Sequence, residues 1–210
     1  MKRKNNFIPH DLSGMNDTNL KKLRAATSVL HERIEQQNLA QYILDHSMDL
    51  NTYKLLLLLN YQAYMHLEVR ISAFLPQLKT EKTSRLKRDL EALEVVPPEP
   101  AAEPPVKINI KSRAEAFGAA YVVEGSALGG MLIAKHLPQC KQLKDLPPQH
   151  FFRGDRNDLK TWKIFKQELA CQNFDQAEEM ALLAKAKESF LFFESIFSRE
   201  QDLEKISFRG

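Results

Sequence analysis

Cysteine is nearly missing from this chain. Cys140 and Cys171 are the only two in 210 residues, too few for a disulfide framework, so two reduced thiols in a cytoplasmic protein are expected. Glycine is scarce as well, at seven, and strict apolar–polar alternation is lacking, so no sheet is expected. Charge of one sign is not in excess. The net charge is +3 and no basic block interleaves with aromatics, which argues against nucleic acid as a partner. None of the six histidines pairs as H-x-x-x-H and no cysteine stands at finger spacing, so a structural zinc site is not expected. Glu-x-x-His motifs are absent too, and with them the di-iron bundle class. The N-terminal MKRKNNFIPHDLSG is basic but has no apolar stretch, unlike a signal peptide. The leucine run at 55–59 is too short to cross a bilayer, and the apolar run at 116–133 carries Glu124 and several glycines, so no membrane span is expected. No flavin or nicotinamide fingerprint appears.

What is present favours helix. Leu, Ala, Lys, Glu and Gln are common, and the apolar fraction is 43%, enough for a core. Leu20, Leu23, Thr27, Leu30 and Ile34 recur at three and four and predict a helix starting near Asp17 or Thr18. Further helices are expected over about 51–75, ended by Pro76, and over 80–93. Five of the ten prolines fall between Pro97 and Pro105, an extended stretch read as a loop (96–106) inside one domain rather than a linker. After it, the S-x-x-E pattern of Ser112 and Glu115 opens a helix that Pro138 ends. Helices over about 159–172 and 175–199 complete the count. The expected fold is all-α, a single multi-helix bundle over 17–210 behind a flexible tail, 1–16.

Two stretches carry chemistry. Arg24, Thr27, His31 and Glu35 form one stripe on the first helix, at the border of its apolar face. A neutral imidazole there can take a metal through one ring nitrogen while the other N–H finds an acceptor, with Glu35 one turn on as the candidate. Arg24 can meet an anionic group on the same ligand. The competing reading is an ordinary half-buried histidine. The second stretch, EGSALGG at 124–130, places Gly125, Gly129 and Gly130 within six residues of a helix. Each costs about 1 kcal/mol relative to Ala. Either they let another helix approach closely, or a flat ligand lies on the bare backbone beside Ser126.

Together these stretches resemble the haem oxygenases. LKKLRAATSVLHERIE, 20–35, is similar to their proximal helix, L-x-x-A-T-x-x-x-H-x-x-x-E, through Leu23, Ala26, Thr27, His31 and Glu35. YVVEGSALGG, 121–130, resembles the distal helix of the bacterial, biliverdin-producing members, including those that serve phytochromes. SRLKRDLEALE (84–94), FFRGDRNDLKTWKIF (151–165) and the phenylalanine-rich last helix also fit.

The resemblance implies a helical domain that clamps haem b, as substrate and cofactor, between the first helix and the glycine helix. His31 would be the axial iron ligand, oriented by Glu35, with Thr27 beside it. Gly125, Gly129 and Gly130 would admit the porphyrin and dioxygen. Ser126 stands where mammalian members carry an acid, so water would have to carry protons. Arg24, Lys163, Lys166 and Tyr121 are the candidate propionate anchors, Lys163 and Lys166 being equally readable as a solvated basic face and Tyr121 as a core aromatic. Phe190 is a candidate pocket wall, with Phe193 and Phe197 on the same helix face. The implied reaction opens haem to biliverdin, carbon monoxide and ferrous iron, using dioxygen and electrons from an external ferredoxin, flavodoxin or reductase. A phytochrome receiving the bilin is an implied partner. The alternative is a non-catalytic haem binder on the same scaffold.

Overall fold

Helix punctuation in the sequence sets the elements. A computed structural model describes residues 18–97, 106–153 and 156–198, without the side chains of Gln37 and of residues 156–158. Seven helices lie in them: α1 (Thr18–Gln37), α2 (Gln41–Leu44), α3 (Leu50–Ser72), α4 (Lys82–Ala92), α5 (Arg113–His136), α6 (Arg156–Ala170) and α7 (Gln176–Phe197). There is no strand among the described residues. The expected tail at 1–16 and most of the proline-rich loop, 98–105, lie outside them.

The caps explain several boundaries. Asp49 accepts from Thr52 N–H at 2.9 Å and opens α3. Asp175 and Glu178 form a full capping box at α7. The Ser112 box is only half formed. Ser112 accepts from Glu115 N–H at 3.2 Å, but Glu115 reaches past it to Lys111 N–H at 2.7 Å. α4 has no side-chain cap of its own. Instead Glu68 of α3 accepts from Lys82 N–H and Thr83 N–H at 2.9 and 3.0 Å and from the Thr80 hydroxyl. That satisfies helix-start donors which would otherwise be orphaned. α3 stops at Ser72, short of the expected 75, because the chain turns at Phe74 before Pro76 is reached.

The leucine run is the middle of the core. Leu55, Leu56, Leu57, Leu58 and Leu59 are all buried, as are Tyr53, Ala63, Leu67 and Ile71, so the middle of α3 is covered on every side. α5 is long and apolar enough to cross a membrane by length and composition, but half of its apolar window is buried by protein, and it packs on α7, α6 and α3. Its first half is small-residued, with Ala114, Ala116, Gly118, Ala119 and Ala120 all buried, and lies tightly on α7. α1 also leans on α7, tied by Lys22 to Glu179 and by Arg33 to Glu194 at 2.7 Å. α1 and α5 thus share a support and make little direct contact with each other. Between them a space is left.

Candidate functional site

That space is a cavity of about 780 Å³, a size suited to a small-molecule or cofactor site. One wall is the polar stripe of α1. Arg24, Thr27, His31 and Glu35 all line it. His31 Nδ1 sits 3.5 Å from Glu35 Oε1, and the ring is edge-on to Phe190 at 5.8 Å between centroids. A ring whose Nδ1 faces a carboxylate presents Nε2 as the metal ligand. Both side chains remain more than half exposed, 54% and 67%, so the site opens to solvent at this edge. Thr27 is buried and donates to Leu23 C=O at 2.7 Å. Arg24 is exposed at the mouth.

The opposite wall is the second half of α5: Tyr121, Val122, Gly125, Ser126, Ala127, Leu128, Gly129 and Gly130 line the cavity. The close-packing reading of these glycines is overturned here. Among the described residues a Cβ at Gly129 or Gly130 would meet nothing within 4 Å, and one at Gly125 would touch only Trp162 at 4.0 Å. The glycine that does serve packing is Gly118, seven residues earlier, which sequence reasoning did not single out. Ser126 donates to Val123 C=O at 2.7 Å, so it offers lone pairs, not a proton, to the cavity.

The remaining walls are aromatic. Phe190, Phe193 and Phe197 of α7, Trp162 of α6, and Phe151 and Phe152 all line the space. Tyr121 lies 6.2 Å from Trp162 between ring centroids. Lys163 and Lys166 depart from expectation: neither lines the cavity. Trp162 takes the inward position on α6, Lys163 points out, and Lys166 lies over the indole at 5.8 Å. Of the two expected readings, propionate anchor and solvated basic face, their position off the cavity favours the second.

Several wall-forming residues were not legible in the sequence. Asn60 and Tyr64, one turn apart on α3, and Lys82 at the start of α4 all face the cavity. Asp89 acts from behind. It is fully buried and accepts from His150 N–H and Phe151 N–H, both at 2.8 Å, which pins the Phe151–Phe152 wall. Burial holds the Asp89 carboxyl above the usual carboxylate range, and those two hydrogen bonds pull it back down. Burial and the nearby Asp89 also push the Tyr53 phenol far up. The only advance signal for Asp89 was an acid spaced with Leu86, Leu90 and Leu93 on an apolar face. Of the other histidines, His46 and His136 pair with each other at 3.0 Å, outside the cavity. Among the described residues no group of three His, Cys, Asp or Glu side chains could hold a metal.

The comparisons with known proteins bear on the family and the fold. The family model described as Heme oxygenase matches residues 17–199. Among solved structures the chain is similar to the NO- and CO-bound heme oxygenase from Neisseria meningitidis. The two share 21% sequence identity and a TM-score of 0.62, over 87% of this chain and 91% of that one. At that identity the likeness bears on the fold. No curated protein sequence matches.

Proposed function

The chain belongs to the heme oxygenase family, and from that premise we propose that it cleaves haem oxidatively to biliverdin, carbon monoxide and ferrous iron. The observation that carries the reading is the pairing of walls. An imidazole backed by a carboxylate faces, across a cavity of about 780 Å³, a helix stripped of side chains at three positions. Bare backbone in open space costs helix stability and gains nothing in packing. A flat ligand resting there gives it a purpose.

The residues fit haem b. His31 would hold the iron through Nε2 and Glu35 would keep the ring from turning. Arg24 at the mouth suits a propionate carboxylate, and Tyr121 is a second candidate. Phe190, Phe193, Phe197 and Trp162 exclude bulk water, which strengthens every polar interaction inside. When bound, haem itself supplies the redox chemistry with dioxygen. The protein holds it, fixes its rotation and limits access. Thr27 and Ser126 spend their protons on Leu23 and Val123 carbonyls and can only accept from cavity water, so water is the proton carrier beside Ser126. Electrons come from an external ferredoxin, flavodoxin or reductase. A phytochrome is one fitting recipient of the bilin.

The test is a visible spectrum over time. Hemin is added at one equivalent, followed by ascorbate in air with catalase present. Decay of the Soret band with growth of a broad red biliverdin absorption is the expected result. A Soret band that forms and persists would instead make the protein a haem carrier or sensor. His31→Ala should lose the ligated-iron spectrum, and an unchanged spectrum would sink the axial assignment.

A further inference from the structure

Lys82 is the unusual group in the cavity. It is a lysine only 2% exposed, at the first position of α4, and it lines the cavity wall. Buried lysines are rare unless paired. This one makes no ion pair or hydrogen bond through its ammonium among the described residues. Its Nζ lies 5.8 Å from the centre of the Tyr64 ring. Glu68 spends its carboxylate on the N–H groups of Lys82 and Thr83 and on the Thr80 hydroxyl. It thereby fixes where α4 begins, and so where the Lys82 stem enters the wall.

Other polar side chains of the wall point the contrast. Thr27 donates to Leu23 C=O, Asn60 to Leu56 C=O and Ser126 to Val123 C=O, at 2.7, 2.8 and 2.7 Å. The two hydroxyl protons are consumed within their own helices, and Asn60 commits one of its two amide N–H groups there. Lys82 keeps its N–H donors, with the cavity as their outlet. Charge in such a poorly screened setting acts over several ångströms.

Resting on the haem-binding reading, we propose that Lys82 makes the interior of the cavity a small-anion subsite. Its ammonium favours negative charge on a small ligand bound to the iron on the side away from His31. Hydroxide, fluoride and azide are the simplest such ligands. Arg24 and Lys82 then divide the cationic work. Arg24, exposed at the mouth, meets carboxylates of the large ligand, and Lys82, enclosed, meets charge at its centre.

The experiment uses the ferric hemin complex of the full chain. The conversion of iron-bound water to hydroxide is followed by visible absorption against pH, and fluoride affinity is measured by titration. In Lys82→Met the conversion should move up by about one pH unit and fluoride should bind about tenfold more weakly, from one lost charge at several ångströms. Lys82→Arg should stay near the wild type, because the charge is kept. Circular dichroism melts of each variant check folding, and Lys82→Gln replaces Met if Met does not fold. Equal transitions in wild type and Lys82→Met would overturn the proposal. So would a loss of hemin affinity with the transition unmoved, which would place Lys82 on a propionate. A wild type that forms no hemin complex would overturn the parent reading and this one with it. A normal complex insensitive to Lys82 overturns this one alone.

Discussion

The two halves of α5 use glycine for opposite ends. At Gly118 an added Cβ would stand 2.2 Å from Leu182 C=O, 3.0 Å from Ala186 N and 3.1 Å from Lys185 Cβ. The residue is bare because α7 presses its backbone against it. At Gly129 and Gly130 an added Cβ would meet nothing within 4 Å. Those residues are bare although nothing among the described residues requires it. In one helix, then, the first glycine is a cost recovered through packing, and the later ones are a cost the protein alone does not recover. An unrecovered helix cost in a cavity wall points to a ligand, and that argument needs no knowledge of what the ligand is.

The sharpest way to break the comparison is Gly118→Ala. Its nearest obstacle is a backbone carbonyl, which cannot swing aside as the end of a side chain can, so α5 and α7 must part. A loss of about 3 kcal/mol is expected, at the upper end for overpacked cores, read as a lower urea midpoint. A neutral result would mean that the helices slide freely, and the division between the halves would fail.

Spacing showed that Gly125 and Gly129 share a face, but not what lies on it. Gly118 is seven residues from Gly125 and joins the same sector of the helix, yet one is pressed against the α7 backbone and the other lies on the cavity with Trp162 at 4.0 Å. That difference belongs to the tertiary arrangement, where α7 is close to α5 at one end and α1 is held off at the other. The stripe of Arg24, Thr27, His31 and Glu35 was legible because helical periodicity alone brings these residues together. For Lys163 and Lys166 the sequence left two readings open, anchor or solvated basic face, because helical spacing alone does not tell which side of α6 turns inward; the indole of Trp162 does, and neither lysine lines the cavity. α2 is four residues long and too short to show a period. Lys82, Asp89 and Glu68 could not be read ahead, since each gains its role from an element distant in the chain.

Gly129→Ala and Gly130→Ala sharpen the comparison from the other side. Each should stabilise the ligand-free protein by about 1 kcal/mol through helix propensity, since the new methyl group collides with nothing. Each should also weaken hemin binding about tenfold, equivalent to about 1.4 kcal/mol. Thermal melts without hemin and absorbance titrations with it read the two effects separately. Opposite signs in the two measurements are the signature of a wall kept bare for a ligand. Stability and affinity falling together would instead return these glycines to a packing role.

The smallest effect concerns what supports the packed half. His66 is buried on α3, edge-on to Phe192 of α7 at 6.1 Å between ring centroids. Burial, and secondarily Arg70, holds its pKa below the ordinary 6.5. The unfolded chain therefore takes up a proton at about pH 6.5 before the folded one does. Above that pH His66 is neutral in both states and contributes no pH dependence. As pH falls below it, the unfolded state binds more protons and stability declines until the folded pKa is passed. Asp89 acts the other way, because a carboxyl held above its ordinary range binds its proton more readily when folded, so acid favours the fold through that group. Subtraction separates the two. Between pH 7.5 and 5.5 the urea midpoint of wild type should fall further than that of His66→Gln, and the difference isolates the imidazole. Equal falls in the two proteins would mean that His66 takes its proton in place, against Phe192, and that this side of α7 is looser than the contacts at Gly118 require.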